Sequence, residues 1–173
     1  MAFNADKLHI KEYGSTHKTQ IIFIHGVWMS SRFFEKNIEF LAREYHVLAL
    51  DLPSHGDSAK FSDCHTVENY AIELSRVIDQ VSIKSKPILI GWSMGCFVIW
   101  EYLKKFGCKN VLGQILVSQG PTDFRWPDWP HGPFDINSLM QMMKLCQQDQ
   151  RKLLAGFLPN MFKVKPSDNE LAW

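Results

Sequence analysis

Short apolar runs and helical stripes take turns along this chain. Ile21-Ile22-Phe23-Ile24, Val47-Leu48-Ala49-Leu50 and Ile88-Leu89-Ile90 are unbroken apolar runs, the first of them largely β-branched. They predict strands buried on both faces, as in a parallel sheet. Residues 111–117 predict a further buried strand. Residues 7–13 instead alternate polar and apolar before Gly14-Ser15, the pattern of an edge or half-exposed strand. Between the runs, apolar positions recur every three to four residues. Phe34, Ile38, Leu41 and Tyr45 form one stripe behind a cap at Ser30 or Ser31. Val67, Tyr70, Leu74, Val77, Ile78 and Val81 form the most regular stripe, in a helix starting at Thr66. A third helix (Phe97, Val98, Ile99, Trp100, Tyr102, Leu103) is apolar nearly all round, is expected to lie deep, and is ended by Gly107.

Strand and helix alternate from residue 21 to 117 without an internal repeat. That order predicts an α/β fold, a doubly wound and mostly parallel sheet with right-handed crossovers. Functional residues in such sheets gather at the carboxyl ends of the strands. His25-Gly26, the loop Asp51 to Ser58, and Ser93 all fall there. Beyond Val117 the pattern changes. Residues 119–133 hold Pro127, Pro130 and Pro133 with Trp126 and Trp129 beside them, an irregular aromatic excursion. Two helical pieces follow, one with Leu139, Met142, Met143 and Cys146 on a face, the other with Leu153, Leu154 and Phe157. The segment is expected to form the start of a helical lid. Ser167-x-x-Glu170 is a capping box with three residues after it, so the chain is expected to stop inside an element.

The sharpest motif is Gly91-Trp92-Ser93-Met94-Gly95, set between an apolar strand and an apolar helix. A strand-to-helix turn this tight needs small flanking residues, and it pushes the central side chain outward as an exposed nucleophile. Composition narrows the rest. With 173 residues, 46% hydrophobic and 21% charged, the chain is long enough for one globular core. A net charge of +1 leaves no footprint for nucleic acid or an anionic membrane. No apolar stretch is long enough to span a membrane, and no signal-peptide core opens the chain. Cys64, Cys96, Cys108 and Cys146 show neither C-x-x-C nor metal-ligand spacing, so reduced thiols, no metal and a cytoplasmic setting are expected.

Three motifs in order, Ile24-His25-Gly26-Val27-Trp28, Asp51-Leu52-Pro53-Ser54-His55-Gly56-Asp57-Ser58 and Gly91-Trp92-Ser93-Met94-Gly95, resemble the α/β-hydrolase fold. The resemblance is to its branch of small esterases, lactonases and non-haem haloperoxidases, and it covers roughly residues 7–120. It implies a core over residues 1–120, with strands one to six in the family's count, and a lid over 121–173. It makes Ser93 the nucleophile and the backbone N–H groups of Val27 and Met94 the oxyanion hole, with Trp28 and Trp92 lining the pocket. His25, His55 and Asp51 become loop-holding residues. No cofactor is implied, and the substrate is a small apolar or aromatic ester, thioester or lactone. Ser54 departs from the family, which more often has glycine there.

The larger departure concerns the triad. The family's acid and histidine follow its last strands, and nothing after residue 120 reads as either strand. Asp123 is the candidate acid by position, and His131 as base requires the excursion to fold back over Ser93. Three readings stay open: a portion of a longer hydrolase, a short binding protein on the same scaffold, or a complete chain with an unusual base. Perhydrolase or cofactor-free oxygen chemistry in the same pocket is the remaining alternative. A sheet without its last two strands exposes an apolar edge, which implies a homodimer or association with the missing C-terminal part.

Overall fold

The computed structural model describes residues 8–62, 65–81, 85–164 and 166–167. Lys7, Cys64 and the Glu170 end of the capping box lie outside them. The chain divides into two compact units, residues 1–119 and 120–173.

The first unit is built on one sheet in the order β1-β3-β2-β4-β5. Its strands are β1 (Ile10–Tyr13), β2 (Gln20–Ile24), β3 (His46–Leu50), β4 (Ile88–Trp92) and β5 (Gly113–Val117). The strands β3, β2, β4 and β5 run parallel, and β1 closes one side antiparallel to β3. Five strands are therefore present among the described residues, one fewer than the family count implies. Every residue of β2 and β3 is buried, as their unbroken apolar runs demand.

Helices cover both faces. On one side α2 (Val67–Val81) and α3 (Met94–Phe106) pack over Ile22, Ile24, Leu48, Leu50 and Leu89. On the other, a 3-10 turn at Ser31–Phe34 leads into α1 (Glu35–Leu41), whose Ile38 joins Phe34, Phe23, Val47 and Ile90. Of the two candidate caps Ser30 is used, its side chain accepting the Arg32 N–H. Thr66 caps α2 by accepting the Asn69 N–H. Tyr45 falls outside α1: its N–H bonds back to Leu41 in the turn that delivers β3.

Two expectations need correction. The last strand begins at Gly113 rather than Val111, and it is not buried: Ile115, Leu116 and Val117 are 51%, 37% and 42% exposed. The cause is its position, since β4 pairs with it on one side and no described strand pairs on the other. Helix α3 is also less deep than an all-round apolar helix suggests. Cys96, Val98, Ile99 and Tyr102 are buried, whereas Phe97 and Trp100 are only partly covered and pack edge to face.

The second unit turns the proline-rich excursion into a small folded motif. Phe124 pairs with Phe134 and Trp126 with Trp129, while Arg125 Nε donates to the Gly132 carbonyl. Gly132 sits against the Phe124 carbonyl with no room for a Cβ. Asp135 then caps α4 (Ile136–Gln148) and Asp149 caps α5 (Gln150–Phe157). Neither helix buries a residue completely, and Met143 is exposed rather than part of the covered face.

Candidate active site

Ser93 stands between the end of β4 and the first turn of α3, with φ 52° and ψ −122°. This left-handed conformation costs a non-glycine residue about 1–3 kcal/mol and persists only when its surroundings dictate it. Here they do. The Ser93 N–H donates to the Val117 carbonyl at 3.0 Å, and the Ser93 carbonyl accepts the Cys96 N–H at 2.8 Å. The Cys96 thiol, pushed to higher pKa by burial, donates to the carbonyls of Gly91 and Val117. The flanking glycines are steric necessities. A Cβ at Gly91 would lie 2.8 Å from the Cys96 nitrogen, and one at Gly95 would collide with the Ile24 carbonyl.

The loop after β2 lies against this turn. A Cβ at Gly26 would sit 3.2 Å from Ser93 Cβ and 3.3 Å from the Trp92 ring, so the loop backbone packs closely on both, and a side chain there would push them by a few tenths of an ångström. The Gly26 carbonyl accepts the His25 Nδ1–H at 2.7 Å and the Met29 N–H at 3.3 Å. A trans peptide is planar, so fixing this carbonyl also fixes the opposite direction of the Val27 N–H. Trp28 follows at φ 61° and is half-buried, and Val27 is exposed.

His25 is wholly buried and doubly engaged. Leu52 N–H donates to its Nε2 at 3.0 Å, which leaves Nδ1 carrying the proton given to Gly26. Burial pushes its pKa down to about 4, so the ring is neutral at ordinary pH. His25 thus ties the β2 loop to the β3 loop. Asp51 does the same from below. Its Oδ1 accepts the Ser31 N–H at 2.6 Å and its Oδ2 the Asp57 N–H at 2.9 Å, and Ser58 Oγ–H donates to its carbonyl. Gly56 is pressed against the Asp51 carboxylate at φ 47°, leaving no room for a side chain. Ser54 has φ 65°, which explains why glycine suits this position; its hydroxyl compensates by accepting the Phe61 N–H at 2.8 Å. His55 donates from Nδ1 to the Pro53 carbonyl, and burial also lowers its pKa.

Among the described residues, no side chain hydrogen-bonds the Ser93 hydroxyl. Asp123 and His131 belong to the second unit, where the Asp123 carbonyl accepts the Phe134 N–H and His131 packs edge-on against Trp129. Trp92 follows the alternation of its strand: it packs on the α1 side with Ile88 and Ile90, and its ring stacks on Phe33 at 5.5 Å. That parity was available in the sequence, whereas the two-way brace of Asp51 was not, because its partners lie 20 residues back and 6 forward. Among the described residues, His9, Asp51 and Asp57 bring potential metal-ligand atoms within 4.8 Å of one another. Both carboxylate oxygens of Asp51 already accept backbone N–H bonds.

Residues 21–167 match the model of the alpha/beta hydrolase family. The chain belongs to that family. It is 27% identical over 169 residues to a pimeloyl-acyl-carrier-protein methyl ester esterase of Nitrosomonas europaea, covering 96% of this chain and 62% of the relative. It is 28% identical over 118 residues to a non-heme chloroperoxidase of Burkholderia pyrrocinia, covering 66% of this chain and 42% of the relative. In structure it resembles an esterase from Exiguobacterium antarcticum with a TM-score of 0.82 at 22% identity, covering 95% of this chain and 60% of that one. The chain thus spans about half the length of the relatives it matches. Esterases and haloperoxidases are both among these relatives. No described helix is long and apolar enough to cross a membrane.

Proposed function

We propose that this chain carries the nucleophile half of a serine hydrolase that cleaves small apolar or aromatic esters, thioesters or lactones. The observation that carries the reading is the strained backbone of Ser93, held between glycines at a strand-to-helix turn. Ser93 Oγ attacks the acyl carbonyl carbon while a base takes its proton. The resulting oxyanion is met by the N–H groups of Val27 and Met94, the latter at the positive end of the α3 dipole. Collapse expels the alcohol, thiol or ring oxygen and leaves an acyl-Ser93 ester that water hydrolyses. Trp28 lines the acyl side.

The histidines of the loops after β2 and β3 are occupied as structural ties, His25 to Gly26 and Leu52, and His55 to Pro53. The base is assigned to neither of these two, and Asp123 is retained as the candidate acid. The chloroperoxidase relative favours a second reading, in which the same acyl-enzyme is intercepted by peroxide instead of water. A fluorophosphonate probe applied to the full-length protein should label it, and Ser93→Ala should abolish the label. Undiminished labelling of Ser93→Ala would overturn the assignment.

A further inference from the structure

Val27 N–H can stabilise an oxyanion only if the peptide unit it shares with Gly26 is held from every side. Its carbonyl end is fixed by His25 Nδ1–H and Met29 N–H. The side of Gly26 that would carry a side chain faces both Ser93 and the six-membered ring of Trp92: an added Cβ would be 3.2 Å from Ser93 Cβ, 3.3 Å from Trp92 Cε3 and 3.4 Å from Cζ3. Nothing covalent stops Trp92 from backing away, since it ends β4 and is only partly buried. What does stop it is the ring of Phe33, stacked at 5.5 Å with an interplanar angle of 21°. Phe33 in turn sits in the 3-10 turn, where its N–H bonds to Ser30 and the neighbouring Ser31 N–H is tied to buried Asp51.

We propose that the Trp92–Phe33 stack is a positioning device for the reaction. It fixes the surface on which Gly26 packs beside Ser93, so that the Val27 N–H and the Ser93 hydroxyl keep a fixed spacing. This inference rests on the serine-hydrolase reading. It gives Trp92 a role through the loop backbone rather than as a wall for the acyl group, and it adds Phe33 to the residues that govern turnover. Loss of a whole oxyanion donor costs roughly 100- to 1,000-fold in kcat, so a donor displaced rather than deleted should cost about tenfold.

The test uses the full-length protein with p-nitrophenyl acetate, whose acyl group is too small to need an aromatic wall. Trp92→Leu and Phe33→Leu should each lower kcat about tenfold with KM within about twofold. Each should weaken an alkyl boronic acid, a mimic of the tetrahedral intermediate, by a similar factor. Trp92→Phe, which restores an aromatic stack, should recover most of the loss. A Trp92 variant that raises KM with kcat held would make it a pocket wall and overturn the inference. So would unchanged kcat, KM and boronate affinity with only a lowered Tm, which is the mark of a packing role. If the parent shows no Ser93-dependent turnover at all, the hydrolase reading fails, and this inference fails with it.

Discussion

Gly95→Ala perturbs the geometry of the turn without removing Ser93, an oxyanion donor or any charge. A Cβ at position 95 would lie 2.8 Å from the Ile24 carbonyl carbon and 3.0 Å from the His25 carbonyl oxygen, and closer still to the Ile24 oxygen. Ordinary van der Waals contact begins at 3.4 Å, so α3 and the end of β2 must separate by roughly an ångström. The atoms in the way are backbone, and Ile24 is locked in register with Gly91 of β4. Overpacking of this kind costs about 3 kcal/mol, offset by about 1 kcal/mol because alanine is the better helix former, for a net loss near 2 kcal/mol. In a domain of this size that lowers Tm by about 4–8 °C. The displaced segment leads directly into Gly26 and Val27, so acylation by a fluorophosphonate should also slow by about ten- to a hundredfold. Gly156→Ala in α5 is the matched control. Nothing lies within 4 Å of its Cβ position, and the change should be neutral or stabilising by up to about 1 kcal/mol. A Gly95→Ala protein as stable and as reactive as the parent would refute the steric reasoning.

Other expectations follow from the same contacts. His25 folds with its pKa lowered to about 4, below the unfolded value of 6.5, so the unfolded state binds more protons between those limits. Stability is then fully present above about pH 6.5 and falls by about 3 kcal/mol toward pH 4, with His55 shifting in the same direction; denaturation at stepped pH should show this slope, and His25→Gln should flatten it. Asp51→Ala leaves the Ser31 and Asp57 N–H groups without their acceptor and should cost about 3 kcal/mol in urea unfolding, a loss a solvent-exposed acid would not produce. The 1–173 chain by itself should self-associate through β5, whose edge carries neither a charge nor a proline, and Ile115→Lys should lower its light scattering several-fold.

The central sheet was legible because each of its interior strands is an unbroken apolar run, and burial on both faces leaves no other pattern. Helix α2 was legible for the complementary reason, a single stripe facing one layer. The exposure of β5 was not, since Gly113–Val117 reads the same whether or not a further strand lies beside it. In the site, Ser93 and its glycines could be read from five residues, because the constraint is local. The ties through His25, Asp51 and Ser58 join loops far apart in sequence, and only the fold shows which polar groups meet. The direction of the Trp92 ring lay in between: strand parity with Ile88 and Ile90 specifies its face, while its partner Phe33 required the structure.

The claim that Ser93 is the acyl-accepting nucleophile is tested most directly by intact-mass spectrometry of the full-length protein after brief exposure to a fluorophosphonate. A single adduct is expected, mapped by proteolysis to the peptide containing Ser93 and absent from Ser93→Ala. An adduct that persists in Ser93→Ala, or that maps to another residue, would contradict it.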